Sequence, residues 1–131
     1  MLNAQDFSKS DKFGTYNGME VVSVSKGKAT AKFEVKEYHK NGLGTVHGGA
    51  IFTLADLAFA AASNYGEDAV VSINAAMSFS KACMDGVLVS EAKEVARSSR
   101  LVTYEALVKD GAGDVVAVFQ GTGYIKSKKA H

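Results

Sequence analysis

The chain has 131 residues, a length that fits one domain with a real hydrophobic core and is too short for two ordinary domains. Lys and Arg number 15 against 14 Asp and Glu, so the net charge of +1 excludes the broad basic surface that attracts nucleic acids or anionic membranes. No apolar stretch is long enough to span a bilayer, and the N-terminus lacks the apolar core of a signal peptide. The single cysteine, Cys83, can form no internal disulfide. Together these features predict a cytoplasmic protein.

The first half of the chain predicts a hairpin followed by a helix. Residues 19–37 alternate between apolar and polar side chains on both sides of Lys26-Gly27-Lys28, which indicates strands near 19–25 and 29–36. The segment from Gly49 to Asn64 has no internal glycine and is rich in Ala, Leu, Phe and Ile, so it predicts one helix of about four turns. Because this helix is apolar almost all round, we expect it to be buried.

The second half predicts four strands, near 69–79, 87–97, 101–109 and 114–125. The turn sequences Asp85-Gly86, Ser98-Ser99 and Asp110-Gly111-Ala112-Gly113 separate them, and we expect an antiparallel meander. The order of two strands, one long buried helix and four strands predicts an α+β fold in which a curved antiparallel sheet of about six strands wraps around one central helix. Residues 1–131 are taken as a single domain, with residues 1–14 and the polar tail 126–131 peripheral.

One acidic residue, Asp56, lies inside the predicted helix, in the segment LADLAFAAA. Its neighbours about one turn away are apolar, among them Phe52, Phe59 and Ala60. An ionised carboxylate in such surroundings is costly unless it has partners. Two interpretations stay open from this residue alone: a structural Asp satisfied by a nearby hydroxyl or backbone amide, or a functional carboxylate.

The segment before the helix, NGLGTVHGG at residues 41–49, gives the buried acid a functional context. His47, Gly48 and Gly49 lead directly into the helix, where free backbone N–H groups and the positive end of the dipole meet. Such a helix start can donate to an oxygen that gains negative charge during acyl transfer, and Gly48 has no side chain to block a carbonyl. The structural alternative is that the glycines only form the turn, Asn41 belongs to an Asn-Gly turn, and His47 bonds to local backbone.

Other catalytic centres find little support in the sequence. His39 and His131 lie at spacings unrelated to His47, and the lone Cys83 has no partner, so no metal site is predicted. A Ser nucleophile is disfavoured because no G-x-S-x-G elbow is present, and Cys83 has no obvious base.

The motif N-G-x-G-x-x-H-G-G at residues 41–49, followed seven residues later by Asp56 in an Ala-rich helix, resembles the hotdog-fold acyl-CoA thioesterases. The branch it resembles most is the phenylacetic-acid-degradation type, which is similar to 4-hydroxybenzoyl-CoA thioesterase. The resemblance extends from about residue 15 to residue 125 and implies the hotdog fold. It also implies a homodimer whose subunits join their sheets, a further association into a dimer of dimers, and an active site at the subunit interface.

By position, the resemblance implies catalytic roles for four residues. Gly48 supplies the backbone N–H that polarises the thioester carbonyl, and Asp56 of the opposite subunit activates water or attacks directly. Asn41 positions the water or the reacting group, and His47 supports the thioester from beside it. The implied substrate is an acyl- or aryl-CoA, cleaved to the free acid and coenzyme A without a further cofactor or a metal.

The same resemblance implies contacts with the substrate and coenzyme A. Gly49 is implied as a substrate contact, and Ser72 corresponds to a hydroxyl that some relatives place near the carboxylate. The coenzyme contacts are Ser80, Lys81, Arg97, Ser98, Ser99 and Arg100. Taken singly, each of these coenzyme contacts also fits a solvated strand end. The chain departs from the family pattern at Ala82, where a proline is frequent, and at Ala60, where some aryl-CoA relatives carry a hydroxyl.

Two other functions stay open. The fold could hold an acyl-CoA without cleaving it, although a mere binder gains nothing from a costly carboxylate at Asp56. A hotdog enoyl-CoA hydratase or dehydratase is the third candidate, although no Asp at a suitable spacing accompanies His47. Aryl, short-chain and medium-chain acyl groups all remain open.

Overall fold

The computed structural model describes residues 3–128, with side chains described as far as residue 126. Two short helices, α1 (Ala4–Ser10) and α2 (Lys12–Tyr16), precede a hairpin of β1 (Glu20–Ser25) and β2 (Lys28–Glu34). A 3-10 helix (Glu37–His39) and a loop then lead into the long helix α3 (Gly48–Ser63). The remaining strands are β3 (Asp68–Phe79), β4 (Val87–Arg97), β5 (Leu101–Lys109) and β6 (Val115–Lys128).

The six strands form one antiparallel sheet in the order β1-β2-β4-β5-β6-β3. Helix α3 contacts every strand of this sheet. The predicted hairpin, the predicted central helix and the α+β class are therefore confirmed, and the helix begins one residue earlier than its composition predicted.

Alternation in the strands explains why the sheet covers the helix. In β5, Val102, Tyr104, Ala106 and Val108 are buried, while the residues between them are partly exposed. This period of two places one face of the strand against the core. Helix α3 is buried on most sides, because Ala and Leu side chains allow it to approach the strands closely.

The predicted meander is wrong in one connection, since β3 pairs with β6 and not with β4. The turns at 98–100 and 110–114 are short enough to form hairpins, so β4, β5 and β6 are neighbours as predicted. Residues 80–86 form a longer segment, which carries the chain from one edge of the sheet to the inner strand β4 beside β2. Strand β3 is consequently an edge strand.

Both ends of the described chain contain secondary structure beyond what the sequence predicted. Residues 1–14 were expected to be peripheral, but α1 packs on β1 and buries Phe7, while Asn3 and Asp6 form a capping box. Strand β6 continues to Lys128 because it pairs with β3 as far as Asp68, so only residues 129–131 of the predicted tail lie outside the described residues.

Candidate active site

The start of α3 carries one free backbone donor. His47 caps the helix, and its Nδ1 accepts a hydrogen bond from the N–H of Gly49 at 2.8 Å. The N–H groups of Ala50 and Ile51 donate to the carbonyl oxygen of His47. Among the first four N–H groups of the helix, that of Gly48 alone has no acceptor within residues 3–128. The free donor therefore lies at the positive end of the helix dipole.

The loop before the helix is held by hydrogen bonds of its own. The side-chain oxygen of Asn41 accepts from the N–H groups of Leu43 and Thr45, and its Nδ2 donates to Thr45 Oγ1 at 3.0 Å. The N–H of His47 donates to the carbonyl of His39 at 2.7 Å. Asn41 thus supports the turn, as its alternative interpretation predicted, and keeps one Nδ2 hydrogen that no acceptor of the described chain occupies.

Four of the predicted site residues border one cavity of about 350 Å³, here called the Gly48 cavity. They are Asn41, Gly48, Ser80 and Lys81. Phe79 at the end of β3 also borders this cavity, and its ring would lie 3.1 Å from a Cβ added at Gly48. Gly49 has a different constraint, since a Cβ there would lie 2.9 Å from His47 Nδ1 and disturb the cap.

The carboxylate of Asp56 is half-buried and has no hydrogen-bond or ion-pair partner in the described part of the chain. Burial raises its pKa above the usual range, and the charge of Asp11 raises it further, so the predicted direction of the shift is confirmed. Asp56 follows Gly48 by eight residues, which places it about 12 Å further along the helix axis. Ser72 is exposed on β3 and makes no hydrogen bond to Asp56.

Two of the three predicted phosphate-binding cations already have carboxylate partners. Lys81 lies between Asp114, at 2.7 Å, and Asp110, at 3.0 Å, and these hydrogen bonds raise the lysine pKa. Arg97 contacts Glu94 at 2.8 Å and Asp68 at 3.2 Å.

The third cation, Arg100, bonds to the hydroxyl of Tyr124 and has no carboxylate partner among residues 3–128. Ser98 closes the same turn by accepting from the N–H of Leu101, and Ser99 is exposed. This turn lies at the Asp68 end of β3, roughly 35 Å from Ser80 and Lys81 at the other end of the strand. One chain therefore does not bring the predicted coenzyme contacts together.

Comparison with known proteins places the chain in a family. The sequence pattern of the thioesterase superfamily matches residues 43–117, more than half of the chain. The chain belongs to the thioesterase superfamily. A relative from Archaeoglobus fulgidus, named as an esterase, is 38% identical to this thioesterase. The match covers 88% of this thioesterase and 76% of the relative.

Two solved structures share its fold. A mutant of the phenylacetic acid degradation protein PaaI from Thermus thermophilus has a TM-score of 0.83 and 34% identity, over 88% of this thioesterase and 99% of that chain. The E. coli PaaI protein from the phenylacetic acid degradation operon has a TM-score of 0.88 and 25% identity, over 92% and 88% of the two chains. The E. coli relative is named an acyl-coenzyme A thioesterase. The predicted family, hotdog fold and enzyme class are confirmed, and the protein is a thioesterase.

A second cavity on the opposite side of the helix start was not predicted. It measures about 360 Å³, lies between α2, the 3-10 helix and the first turns of α3, and is here called the Phe13 cavity. Phe13, Met19, Tyr38, His47, Gly49 and Thr53 border it. Asp11, whose charge acts on Asp56, was not predicted either; it is the N-cap of α2, and its side chain accepts a hydrogen bond from the N–H of Gly14.

Two absences complete the description of residues 3–128. No group of three or more His, Cys, Asp or Glu side chains within this range could hold a metal ion. In the same range, no helix has the length and apolar character needed to cross a membrane.

Proposed function

We propose that the thioesterase hydrolyses acyl-CoA in a site built from the Gly48 N–H of one subunit and the Asp56 carboxylate of another. The observation that carries the proposal is the pairing of two unused groups: a free N–H at the positive end of α3 and a desolvated carboxylate without a partner in residues 3–128. A structural Asp would have hydrogen-bonding partners. A free N–H at a helix start and an unpartnered carboxylate are the two kinds of group that acyl transfer requires, one to stabilise the oxyanion and one to act as base or nucleophile.

The chemistry follows from these two groups. The Gly48 N–H binds the carbonyl oxygen and stabilises the negative charge that develops on it. Asp56 takes a proton from a water molecule, whose oxygen attacks the carbonyl carbon; the C–S bond then breaks and the thiolate of coenzyme A leaves and is protonated. In the alternative course, a carboxylate oxygen of Asp56 attacks the carbonyl carbon, the C–S bond breaks with release of the coenzyme A thiolate, and water then hydrolyses the resulting anhydride. His47 and Asn41 hold the Gly48 N–H in position, because His47 caps the helix and Asn41 accepts hydrogen bonds within the loop before it.

The separation of the two groups supports a site shared between subunits. A carbonyl oxygen about 3 Å from the Gly48 N–H cannot place its carbon within reach of an Asp56 that lies about 12 Å further along the same helix. A second copy can supply the missing carboxylate. We therefore infer a homodimer, whose further association into a dimer of dimers stays a prediction.

Edge strand β3 offers the surface for that homodimer. It is 12 residues long, one of its edges is unpaired, and it exposes Val71, Ile73 and Phe79. Such an edge invites pairing with another strand. In a two-fold dimer, two copies of β3 pair antiparallel, so the Phe79 end of one copy lies beside the Asp68 end of the other.

This arrangement also accounts for the distant arginines. The turn with Arg97 and Arg100 sits at the Asp68 end of β3, so in the dimer it lies near the Gly48 cavity of the partner. Arg100 is the better candidate for a phosphate contact because Arg97 is held by two carboxylates. Ser80 and Lys81 border the cavity that receives the pantetheine arm, where Lys81 is already neutralised by its acidic neighbours.

The test is thiol release from a panel of acyl-CoA substrates by the wild type, Asp56→Asn and the control Asp85→Asn, which alters an exposed loop carboxylate. We expect Asp56→Asn to lower turnover by about 10²–10⁴-fold with a smaller effect on binding, and the control to match the wild type. Asp56→Asn activity within threefold of the wild type would contradict the proposal. Binding without thiol release would indicate a binding protein, and consumption of an enoyl group without thiol release would indicate a hydratase.

A further inference from the structure

The Phe13 cavity adjoins the reacting groups but has no part in the mechanism above. Its floor is the first turns of α3, where Gly49, Ala50 and Thr53 border it. Its outer wall consists of Phe13 from α2 and Tyr38 from the 3-10 helix, which are 67% and 64% exposed. Two large aromatic side chains that stand open around a cavity form an apolar surface ready for a ligand.

The polar side chains that border the Phe13 cavity are largely committed to the protein itself. His39 uses both ring nitrogens, one with the N–H of Lys36 at 2.8 Å and one with the carbonyl of Asn17 at 2.7 Å. Asn17 Nδ2 donates to the carbonyl of Phe13, and Thr53 Oγ1 donates to that of Gly49. A cavity whose polar groups are internally satisfied favours an apolar occupant, because a polar one would lose its hydrogen bonds to water.

The position of the cavity identifies which part of the substrate it can take. The first N–H groups of a helix point along its axis beyond the N-terminus, so an oxygen bound to Gly48 lies over the helix start, between the two cavities. A thioester carbonyl carries two substituents, the acyl group and the sulfur of pantetheine. The Gly48 cavity presents Asn41, Ser80 and Lys81, which suits the amides of pantetheine. The nucleotide is many bonds away from the carbonyl and cannot reach either cavity floor.

Building on the proposed function, we propose that the Phe13 cavity binds the acyl group and that Phe13 and Tyr38 limit its size. A volume of about 360 Å³ is near the lower end of the range for small-molecule pockets, about 300–1,000 Å³. The preferred substrates are therefore compact apolar acyl groups. Long-chain acyl groups meet the aromatic wall.

The experiment compares kcat/KM for phenylacetyl-CoA and for a series from butyryl-CoA through octanoyl-CoA and decanoyl-CoA to lauroyl-CoA. Phe13→Ala and Tyr38→Ala open the wall, whereas Ala50→Leu fills the floor. Tyr16→Ala is the matched control, since Tyr16 is an exposed aromatic residue on the same helix as Phe13 and does not border the cavity. Circular dichroism and the oligomeric state show whether each variant folds. Tyr38→Ala loses a ring contact with His39, at 4.4 Å between centroids, and if this loss unfolds the protein, Phe13→Ala and Ala50→Leu still test the inference.

We expect the wall variants to shift the preferred chain length upward, with kcat/KM for each longer substrate rising by about fourfold for every newly buried methylene relative to the wild type. Ala50→Leu should shift the preference downward, and Tyr16→Ala should leave it unchanged. Identical chain-length profiles in a wild type that releases thiol and in all folded variants would overturn the acyl assignment while leaving the proposed function intact. A wild type that releases no thiol from any substrate would overturn both.

Discussion

Replacement of Gly48 by proline tests the backbone donor directly. Gly48 is the first residue of α3, and proline is favoured at this position because the N–H that it lacks has no partner within the helix. The preceding residue, His47, already has φ −59° and ψ 133°, the extended conformation that a following proline requires. Since the described chain offers no acceptor for this N–H, the variant should lose no internal hydrogen bond. Loss of one oxyanion donor lowers kcat by about 10²–10³-fold, so we expect this loss with the fold preserved.

Gly48→Ala is the matched control for the proline variant. Both substitutions add a Cβ that would lie 3.1 Å from Cζ of Phe79, but alanine keeps the N–H. The ring of Phe79 is 56% exposed at the end of β3, so it has room to move by a few tenths of an ångström. Thiol release measured at saturating acyl-CoA, with thermal melts of both variants, compares the two. Equal kcat values for folded Gly48→Pro and Gly48→Ala would refute the role of the N–H.

Three further predictions concern stability and the coenzyme. Burial holds the pKa of folded Asp56 above its unfolded value of about 3.9. The folded protein therefore binds the Asp56 proton more tightly than the unfolded chain does, and its stability falls as the pH rises through the folded pKa. Urea melts at matched protein concentration should therefore show Asp56→Asn more stable than the wild type near pH 7 by about 0.5–2 kcal/mol, and this difference should shrink toward acidic pH. A loss of stability above about 2 kcal/mol with unchanged activity would make Asp56 a structural residue. Neutralising Arg97 and Arg100 together should raise KM for acyl-CoA more than for a pantetheine thioester, with the larger share from Arg100, and equal changes would make both arginines simple surface charges. The hydroxyl of Ser90 is fully buried and has no hydrogen-bond partner in the described chain, so Ser90→Ala should raise the free energy of unfolding by about 1 kcal/mol, whereas a decrease in the same melts would contradict this account.

Local patterns were sufficient to predict the secondary structure around the site. Alternating side chains predicted the first hairpin, turn sequences delimited the last three of the four later strands, and the glycine-free apolar segment predicted α3. The motif at residues 41–49 predicted the helix start, where the structure shows the cap by His47 and the free N–H of Gly48. A costly acid in an apolar helix predicted the raised pKa of Asp56.

Features that depend on contacts between distant segments were not predicted. Strand β3 pairs with β6 because residues 80–86 cross to the inner strand, and no local turn signal encodes such a path. The helices α1 and α2 are too short to show a clear period, so neither the charge of Asp11 near Asp56 nor the Phe13 cavity could be read from the sequence. The ion pairs of Lys81 join residues about thirty positions apart and were equally hidden.

The most direct measurement of the shared site is the activity of a purified heterodimer that carries Gly48→Pro in one subunit and Asp56→Asn in the other. If the N–H and the carboxylate of one site come from different subunits, both defects fall in the same site and the second site stays intact. We then expect thiol release at about half the wild-type rate per dimer, although each parent homodimer is at least about 10²-fold slower. A heterodimer no faster than its parents would place both groups in one subunit and contradict the account.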